Sequence, residues 1–210
     1  MTTASFAERT RRAEIAKAAR REEILAAARR VFALRGFRGT TIADIAEDAG
    51  IALGTIYLYF ASKDDVFAAL NQQFNQLIVA AMIDVPAGVS LEDTVRRRVD
   101  NVFNTCAANR DLVQLVVLNT DPDSAATKRM READVERNGP MVEAIREAML
   151  AGYVRDADPS IMTRLINGLV SIAVYQVFVL SDGRDADRYR SACGDMIVSY
   201  MTPQPVGART

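Results

Sequence analysis

The sequence predicts an all-α fold, with a small three-helix head at the N-terminal end and a larger helical body after it. Three observations carry this reading. Gly and Pro are sparse, 11 and 6 in 210 residues, while Ala, Arg, Glu, Leu and Val dominate, which favours helix over sheet. Apolar residues recur at spacings of three and four rather than two. Gly, Pro and capping residues punctuate these runs, and no strand pattern of convincing length interrupts them.

The elements follow in order. Ser5 and Glu8 have capping-box spacing and open an Ala/Arg/Glu run that can be helical up to Arg35, where Gly36 ends it. Its well-patterned half places Ile24, Leu25, Ala28, Val31 and Phe32 on one face, while Glu8 to Arg21 has only a weak apolar stripe, as in a frayed arm. Thr40 or Thr41 caps a short second helix whose buried face is Ile42, Ile45, Ala46 and Ala49. Gly50 supplies the turn into a third helix from about Leu53 to Phe60, with Ile56 and Phe60 facing inward. Ser62 and Asp65 cap a fourth, reaching about Met82. After the Pro86–Gly88 break, helices are expected from Ser90 to Ala108, Asp111 to Leu118, Ser124 to Arg137, Pro140 to Ala151, Ser160 to Leu180 and Asp185 to Met201.

Composition narrows the function classes. Half of the residues are apolar and a quarter charged, the profile of a soluble globular protein. The charged N-terminus has no apolar core of a secretory signal, and two cysteines without a close pair fit a reducing compartment, so a cytoplasmic location is expected. The long, mostly apolar uncharged stretch Leu165 to Leu180 is shorter than the roughly 20 apolar residues of a membrane span, which points to a buried helix and no membrane partner. Histidine is absent, which removes the usual general base, the Ser–His and Cys–His nucleophile systems and most zinc sites. No cofactor or metal is called for, and the reading is of a protein that is not an enzyme.

Charge is uneven. From Met1 to Arg38 ten Arg/Lys stand against four Asp/Glu, a net of +6, and the remainder carries sixteen against twenty-three, a net of −7. A basic end on an acidic body suits a polyanion partner at one end, although a salt-bridged, solvated helix face has the same composition.

Ile42 to Phe60 reads helix, Gly turn, helix, which is the spacing of a helix-turn-helix and also of an unrelated αα-hairpin. In a helix-turn-helix the second helix enters the major groove by its N-terminal residues. Here those are Leu53, Gly54 and Thr55: Leu53 can touch a thymine methyl, and Thr55 can hydrogen-bond a base or phosphate. Tyr57 and Tyr59 can offer hydroxyls to phosphates, and Lys63 a charge. The basic arm with Arg9, Arg11, Arg12, Arg20 and Arg21 is either a groove-reaching segment or a solvated extension.

The run from Ile24 to Phe32, then Gly36-Phe37, Thr40-Thr41, Ile45-Ala46, Ala49-Gly50, Gly54-Thr55-Ile56-Tyr57, Tyr59-Phe60 and Lys63, resembles the DNA-binding head of the TetR/AcrR family over about Arg21 to Leu70. Gly152-Tyr153-Val154-Arg155 with Asp158-Pro159 is similar to the lead into that family's eighth helix. The resemblance implies that Thr40, Thr41, Tyr57 and Lys63 hold phosphates, that Leu53, Gly54 and Thr55 lie against base edges, and that Tyr59 sits near the DNA backbone. It also implies that the last two helices form a four-helix bundle between two subunits.

That bundle would meet a need the residues state by themselves. Ile161, Leu165, Leu169, Ile172 and Phe178 surround their helix and cannot all face one small core, so a homodimer or a fully covered monomer helix is required. A cavity for a small hydrophobic effector could be lined by Phe74, Ile78, Met82, Phe103, Leu115, Tyr175 and Phe178, with Met130 and Met141 nearby in character; ordinary core packing is the other reading of each. The expected division is a basic arm (1–20), a helix-turn-helix domain (21–66), a ligand-binding and dimerisation domain (67–202) and a disordered tail (203–210). The function expected is a sequence-specific DNA-binding regulator, a repressor released from a pseudo-palindromic double-stranded operator by its effector. A helical interaction protein, or a carboxylate- or lysine-based enzyme that keeps the head without binding DNA, is the alternative.

Overall fold

The computed structural model describes residues 3–83, 88–119 and 125–203, and the side chains of residues 8–82, 88–119 and 138–203. Among these residues the chain is helical without strands: α1 (Thr3–Arg35), α2 (Ile42–Asp48), α3 (Leu53–Ile56), α4 (Lys63–Ile83), α5 (Leu91–Ala108), α6 (Arg110–Leu118), α7 (Ala125–Leu150), α8 (Pro159–Tyr175) and α9 (Ala186–Met201). Its contacts separate two compact units, Met1–Phe74 and Asn75–Thr210. Most of the expected tail and the Met130 side chain lie outside the described residues.

The first unit is built on the second half of α1. Ile24, Leu25, Ala27, Ala28, Val31 and Phe32 are buried there against Ile45, Ala46, Ile56, Phe60, Val66, Phe67 and Leu70. The Phe32, Phe37 and Phe67 rings form a tilted chain with centroids 5.4 and 5.1 Å apart. Before Arg21 the side chains from Glu8 onward are exposed, yet α1 is one helix from Thr3, so the arm is helical and Ser5 lies inside the helix instead of capping it. Ala, Arg and Glu are strong helix formers, and the Arg12–Glu8 pair at 3.1 Å has the favourable i,i+4 spacing, so the helix persists without burial.

Two more boundaries differ from expectation. The third helix stops at Ile56 instead of Phe60, because Leu58 and Tyr59 donate to carbonyls three residues back, Thr55 and Ile56, and the chain closes into tight turns. The segments expected on either side of Pro140 are a single α7, with Pro140 inside it.

The second unit packs α5 on α9, with α6, α7 and α8 around them. Val95, Val99, Val102, Phe103 and Cys106 form the buried stripe of α5, and Cys193, Ile197 and Met201 that of α9. Arg96 joins the two through Asp195 at 2.9 Å, and Gly194 makes room: a Cβ there would stand 3.2 Å from an Arg96 nitrogen. Burial pushes the Cys106 thiol up to about 12, so it stays protonated at neutral pH.

α8 departs most from expectation. It widens at its end into a π-helical turn, Gln176–Leu180, closed by a Ser181 amide bond to the Gln176 carbonyl. The whole stretch Pro159–Leu180 is 22 residues long, and only 33% of its most apolar window is buried in the chain, so it is not the buried helix expected. Ile161, Leu165 and Ile172 are 55, 56 and 63% exposed, while Met162, Ile166 and Phe178 are buried. The helix is apolar on more sides than one chain can cover.

Phe103 is fully buried, 6.1 Å from the Phe178 ring, with the Arg190 guanidinium 5.8 Å over its own ring. Phe103→Ala is expected to destabilise the protein by about 3–5 kcal/mol in denaturant titration.

Candidate nucleic-acid interface

The candidate surface starts at the end of α1. Gly36 takes φ +70, a left-handed conformation that suits Gly, and ends the helix. Four residues on, the Thr40 hydroxyl donates to the Gly36 carbonyl at 2.8 Å, and its side chain is buried at 2% exposure. Thr40 therefore faces inward, and the exposed Thr41 stands at the surface in its place. Thr41 caps α2: its hydroxyl oxygen accepts from the Asp44 amide at 3.2 Å, and the Thr41 amide donates to the Asp44 carboxylate at 2.8 Å. Hydrogen bonds from the Thr41 hydroxyl and amide, with Arg35 adding to them, hold the Asp44 carboxyl below the usual carboxylate range. Arg30 reaches from α1 to Asp48 at the other end of α2 at 2.6 Å. α2 is pinned at both ends.

Gly50, at φ +64, then turns the chain into α3. Ile56 and Phe60 point into the core, and this aims the opposite side outward. Leu53 is 44% and Tyr57 54% exposed; Thr55 and Tyr59 are half-buried. Gly54 is exposed, and a Cβ built on it would meet nothing within 4 Å. The fold itself thus does not ask for Gly at that position, although Gly weakens a helix by roughly 0.5–1 kcal/mol relative to Ala. Leu58, 76% exposed between the two tyrosines, belongs to the same surface and was absent from the expected set. Its signal in the sequence is an apolar residue off the Ile56–Phe60 stripe.

Lys63 has a second role besides the one expected. Its ammonium donates to the Phe37 carbonyl at 2.8 Å and the Thr40 carbonyl at 2.9 Å, and lies 4.5 Å over the Phe37 ring. It ties the α1–α2 connection to the start of α4. Arg21, at the end of the basic arm, lies 5.1 Å over the Phe60 ring.

The structure therefore brings Thr41, Leu53, Gly54, Thr55, Tyr57, Tyr59 and Lys63 onto one short stretch around α2 and α3, and turns Thr40 away. The expected ligand residues are less united. Phe103, Leu115 and Phe178 are buried, with Phe178 also offering its carbonyl to Gln114 at 3.1 Å. Ile78, Met82 and Tyr175 are half-buried, and Phe74 is buried within the first unit. Two hollows lie elsewhere: one of about 270 Å³ between α1 and α2, and an open one of about 510 Å³ beside Arg155 and Tyr200.

Known proteins share this arrangement. The family model described as bacterial regulatory proteins of the tetR family matches residues 24–70, the stretch that forms the head core and its exposed turn. Over that stretch the chain is similar to the DNA-binding head of TetR-family regulators. It is 28% identical over 151 residues to the HTH-type transcriptional repressor KstR2 of Mycobacterium tuberculosis, covering 69% of this chain and 74% of that protein. Its fold matches the fatty acid degradation regulator FadR from Bacillus halodurans, at TM-score 0.72, 21% identity and coverage of 90 and 96% of the two chains. It also matches FadR from Bacillus subtilis in complex with stearoyl-CoA, at TM-score 0.69, 19% identity and coverage of 86 and 98%. Its head is that of a DNA-binding transcriptional regulator of the helix-turn-helix class, and the curated relatives it matches are described as HTH-type regulators.

Gly54→Ala separates fold from function. The variant is expected to be as stable as the parent, or up to about 1 kcal/mol more stable, and to bind its operator at least about tenfold more weakly. Melting curves and operator titration together check this. Lys63→Ala leaves the Phe37 and Thr40 carbonyls without their shared donor and is expected to lower stability by about 1–3 kcal/mol.

Proposed function

We propose that the protein is a cytoplasmic repressor that grips a pseudo-palindromic double-stranded operator as a homodimer and lets go when a small, largely hydrophobic effector enters its body. The observation that carries the DNA reading is the outward-facing turn of α3, with open space over Gly54 and Thr55 and Tyr57 beside it. Leu53, Gly54 and Thr55 would meet base edges, while Thr41, Tyr57, Tyr59 and the remaining donor of Lys63 would meet phosphates. Thr40 supports them from beneath through its bond to Gly36. In this division residues 21–66 read DNA, and residues 67–202 hold the effector and dimerise.

The dimer reading rests on α8. Ile161, Leu165 and Ile172, with the exposed Gly168 between them, fall at intervals of four, three and four, which is one helix face. No atom within 4 Å would meet a Cβ at Gly168, so a second helix can approach there. Met196, on α9, is 57% exposed as well. An apolar face of this kind, with a small residue at its centre, suits a second copy of the same helix pair.

The effector reading draws on the half-buried Ile78, Met82 and Tyr175 and the buried Phe103, Leu115 and Phe178 of the second unit. Stearoyl-CoA in the Bacillus subtilis FadR structure supports an apolar chain as the kind of ligand to try first.

Footprinting should show protection of two half-sites about 34–36 Å apart, or a multiple of that. Tyr57→Phe is expected to weaken binding to all sequences by about 0.5–1.5 kcal/mol per half-site, while Thr55→Ala shifts base preference. A Tyr57→Phe variant with altered specificity and full affinity would reverse these roles. Ile172→Glu should yield monomers in sedimentation, since a buried unpaired charge costs several kcal/mol or more. A soluble, folded Ile172→Glu dimer would remove this face as the interface.

A further inference from the structure

Three arginines follow one another on α5, and the structure gives them three different surroundings. Arg96 is paired with Glu92 and Asp195, each at 2.9 Å. Arg97 is exposed. Arg98 is turned inward: it is half-buried, its Nε is shut off from solvent, and that nitrogen has no hydrogen-bond partner among the described residues. No ion pair with a described carboxylate accompanies it. Burial alone pushes its pKa below the ordinary guanidinium value, but an arginine remains charged at any physiological pH.

This is an unfavourable state for the free protein. A guanidinium has five N–H donors, and here the Nε donor is shut off from water without a partner, which is costly. Other half-buried arginines of this unit have a charged or aromatic partner: Arg110 pairs with Asp182, Arg155 lies 5.2 Å over the Tyr200 ring, and Arg190, whose Nε also makes no hydrogen bond, faces Asp100 at 3.6 Å.

The neighbours of Arg98 say where it lies. Thr94, Arg98, Asn101 and Thr105 stand at intervals of four, three and four, and all four are half-buried. They form a polar stripe next to the apolar stripe of Val95, Val99 and Val102. Asn101, one turn from Arg98, donates to the Ala81 carbonyl of α4 at 3.1 Å. That bond sets the stripe, at Asn101, against the C-terminal end of α4, where Ile78 and Met82 are half-buried.

We propose that Arg98 is the anion-reading residue of the body, receiving a carboxylate or phosphate oxygen of an otherwise apolar ligand that lies beside Ile78 and Met82. The inference rests on the effector reading and adds to it the chemical class of the effector: an apolar chain bearing an oxyanion. The fork of donors matches two oxygens at once, which a neutral ligand of the same shape cannot exploit. It also explains why the charge is left unpaired, since its partner arrives with the ligand.

The test uses the full-length protein and three matched probe series: straight-chain carboxylates from octanoate to octadecanoate, the corresponding CoA thioesters and the corresponding primary alcohols. Affinity is measured by calorimetry for the parent, Arg98→Met and Arg98→Lys. The parent is expected to bind a carboxylate or a thioester at least about tenfold more tightly than the matching alcohol. Arg98→Met should bring the series close to equality, and Arg98→Lys should keep part of the preference. A preference for carboxylates assigns Arg98 to a carboxylate, and one for thioesters assigns it to phosphate. Without ligand, Arg98→Met should melt at or above the parent temperature, because an unpaired charge has been removed. Alcohols that bind the parent as tightly as the anions overturn the inference and leave the effector reading standing. So does an Arg98→Met variant that keeps the full preference for anions. Binding of none of the three series overturns both.

Discussion

A helix of four residues cannot hold itself together. Nucleating a helical turn is unfavourable, and isolated helices shorter than about 12 residues are marginal in water. The orientation of α3 is therefore imposed from outside, by Ile56 and Phe60 in the head core on one side and by the pinned α2 on the other. Everything the head presents to DNA depends on that constraint. The Thr41–Asp44 capping box fixes the start of α2, Arg30 fixes its end through Asp48, and Gly50 sets the angle into α3. Lys63 closes the frame by joining the Phe37 and Thr40 carbonyls to the start of α4. The residues proposed to enter the groove, Gly54 and Thr55, can then be small, because the scaffold behind them supplies the rigidity.

The second unit works under the opposite constraint, an excess of apolar surface. Phe103, Val177 and Phe178 fill the interior, and α8 still presents Ile161, Leu165 and Ile172 to solvent. Burying one such side chain is worth about 1.5–3 kcal/mol, so three on one face are a substantial incentive to associate. On the proposed reading this is what holds two heads at a fixed spacing. The same packing limits where an effector can enter. Phe103 and Phe178 are ring neighbours within the core, so on the proposed reading an effector has to use the half-buried residues, Ile78 and Met82 among them.

Much of the head was legible in the sequence because its signals are local. Helical periodicity placed Ile24, Leu25, Val31 and Phe32 on one face, and Gly36 and Gly50 marked the turns, where both have positive φ. What escaped depends on contacts between distant residues. The partners of Lys63 are 26 and 23 residues away, and no spacing rule points to them. The inward turn of Thr40 is decided by the fold around Gly36 and cannot be told from the Thr40-Thr41 pair itself. In the body, periodicity marks a residue as inward-facing but does not distinguish a core from a cavity, so Phe103 and Leu115 read alike whether packed or lining a pocket. Arg96, Arg97 and Arg98 are identical as letters, and only burial separates them. Pro140 is a common first residue of a helix, which is why α7 read as two segments.

The energetics of switching are modest when set against this frame. A tenfold loss of operator affinity corresponds to about 1.4 kcal/mol. A single hydrogen bond from a charged group contributes about 1.5–3 kcal/mol, so the two carbonyl bonds of Lys63 exceed that need. α4 is one uninterrupted helix from Lys63 to Ile83, carrying the Lys63 clamp at its first turn and Ala81, whose carbonyl receives Asn101, near its last. On the proposed reading, an effector beside Ile78 and Met82 touches the helix that also carries the Lys63 clamp, and a partial loss of that clamp would match the energy needed. Linkage makes the effect mutual: bound operator lowers effector affinity by the same factor. The proposed role of Arg98 fits that scheme, because its Nε donor, shut off from water without a partner, would be completed by the anion.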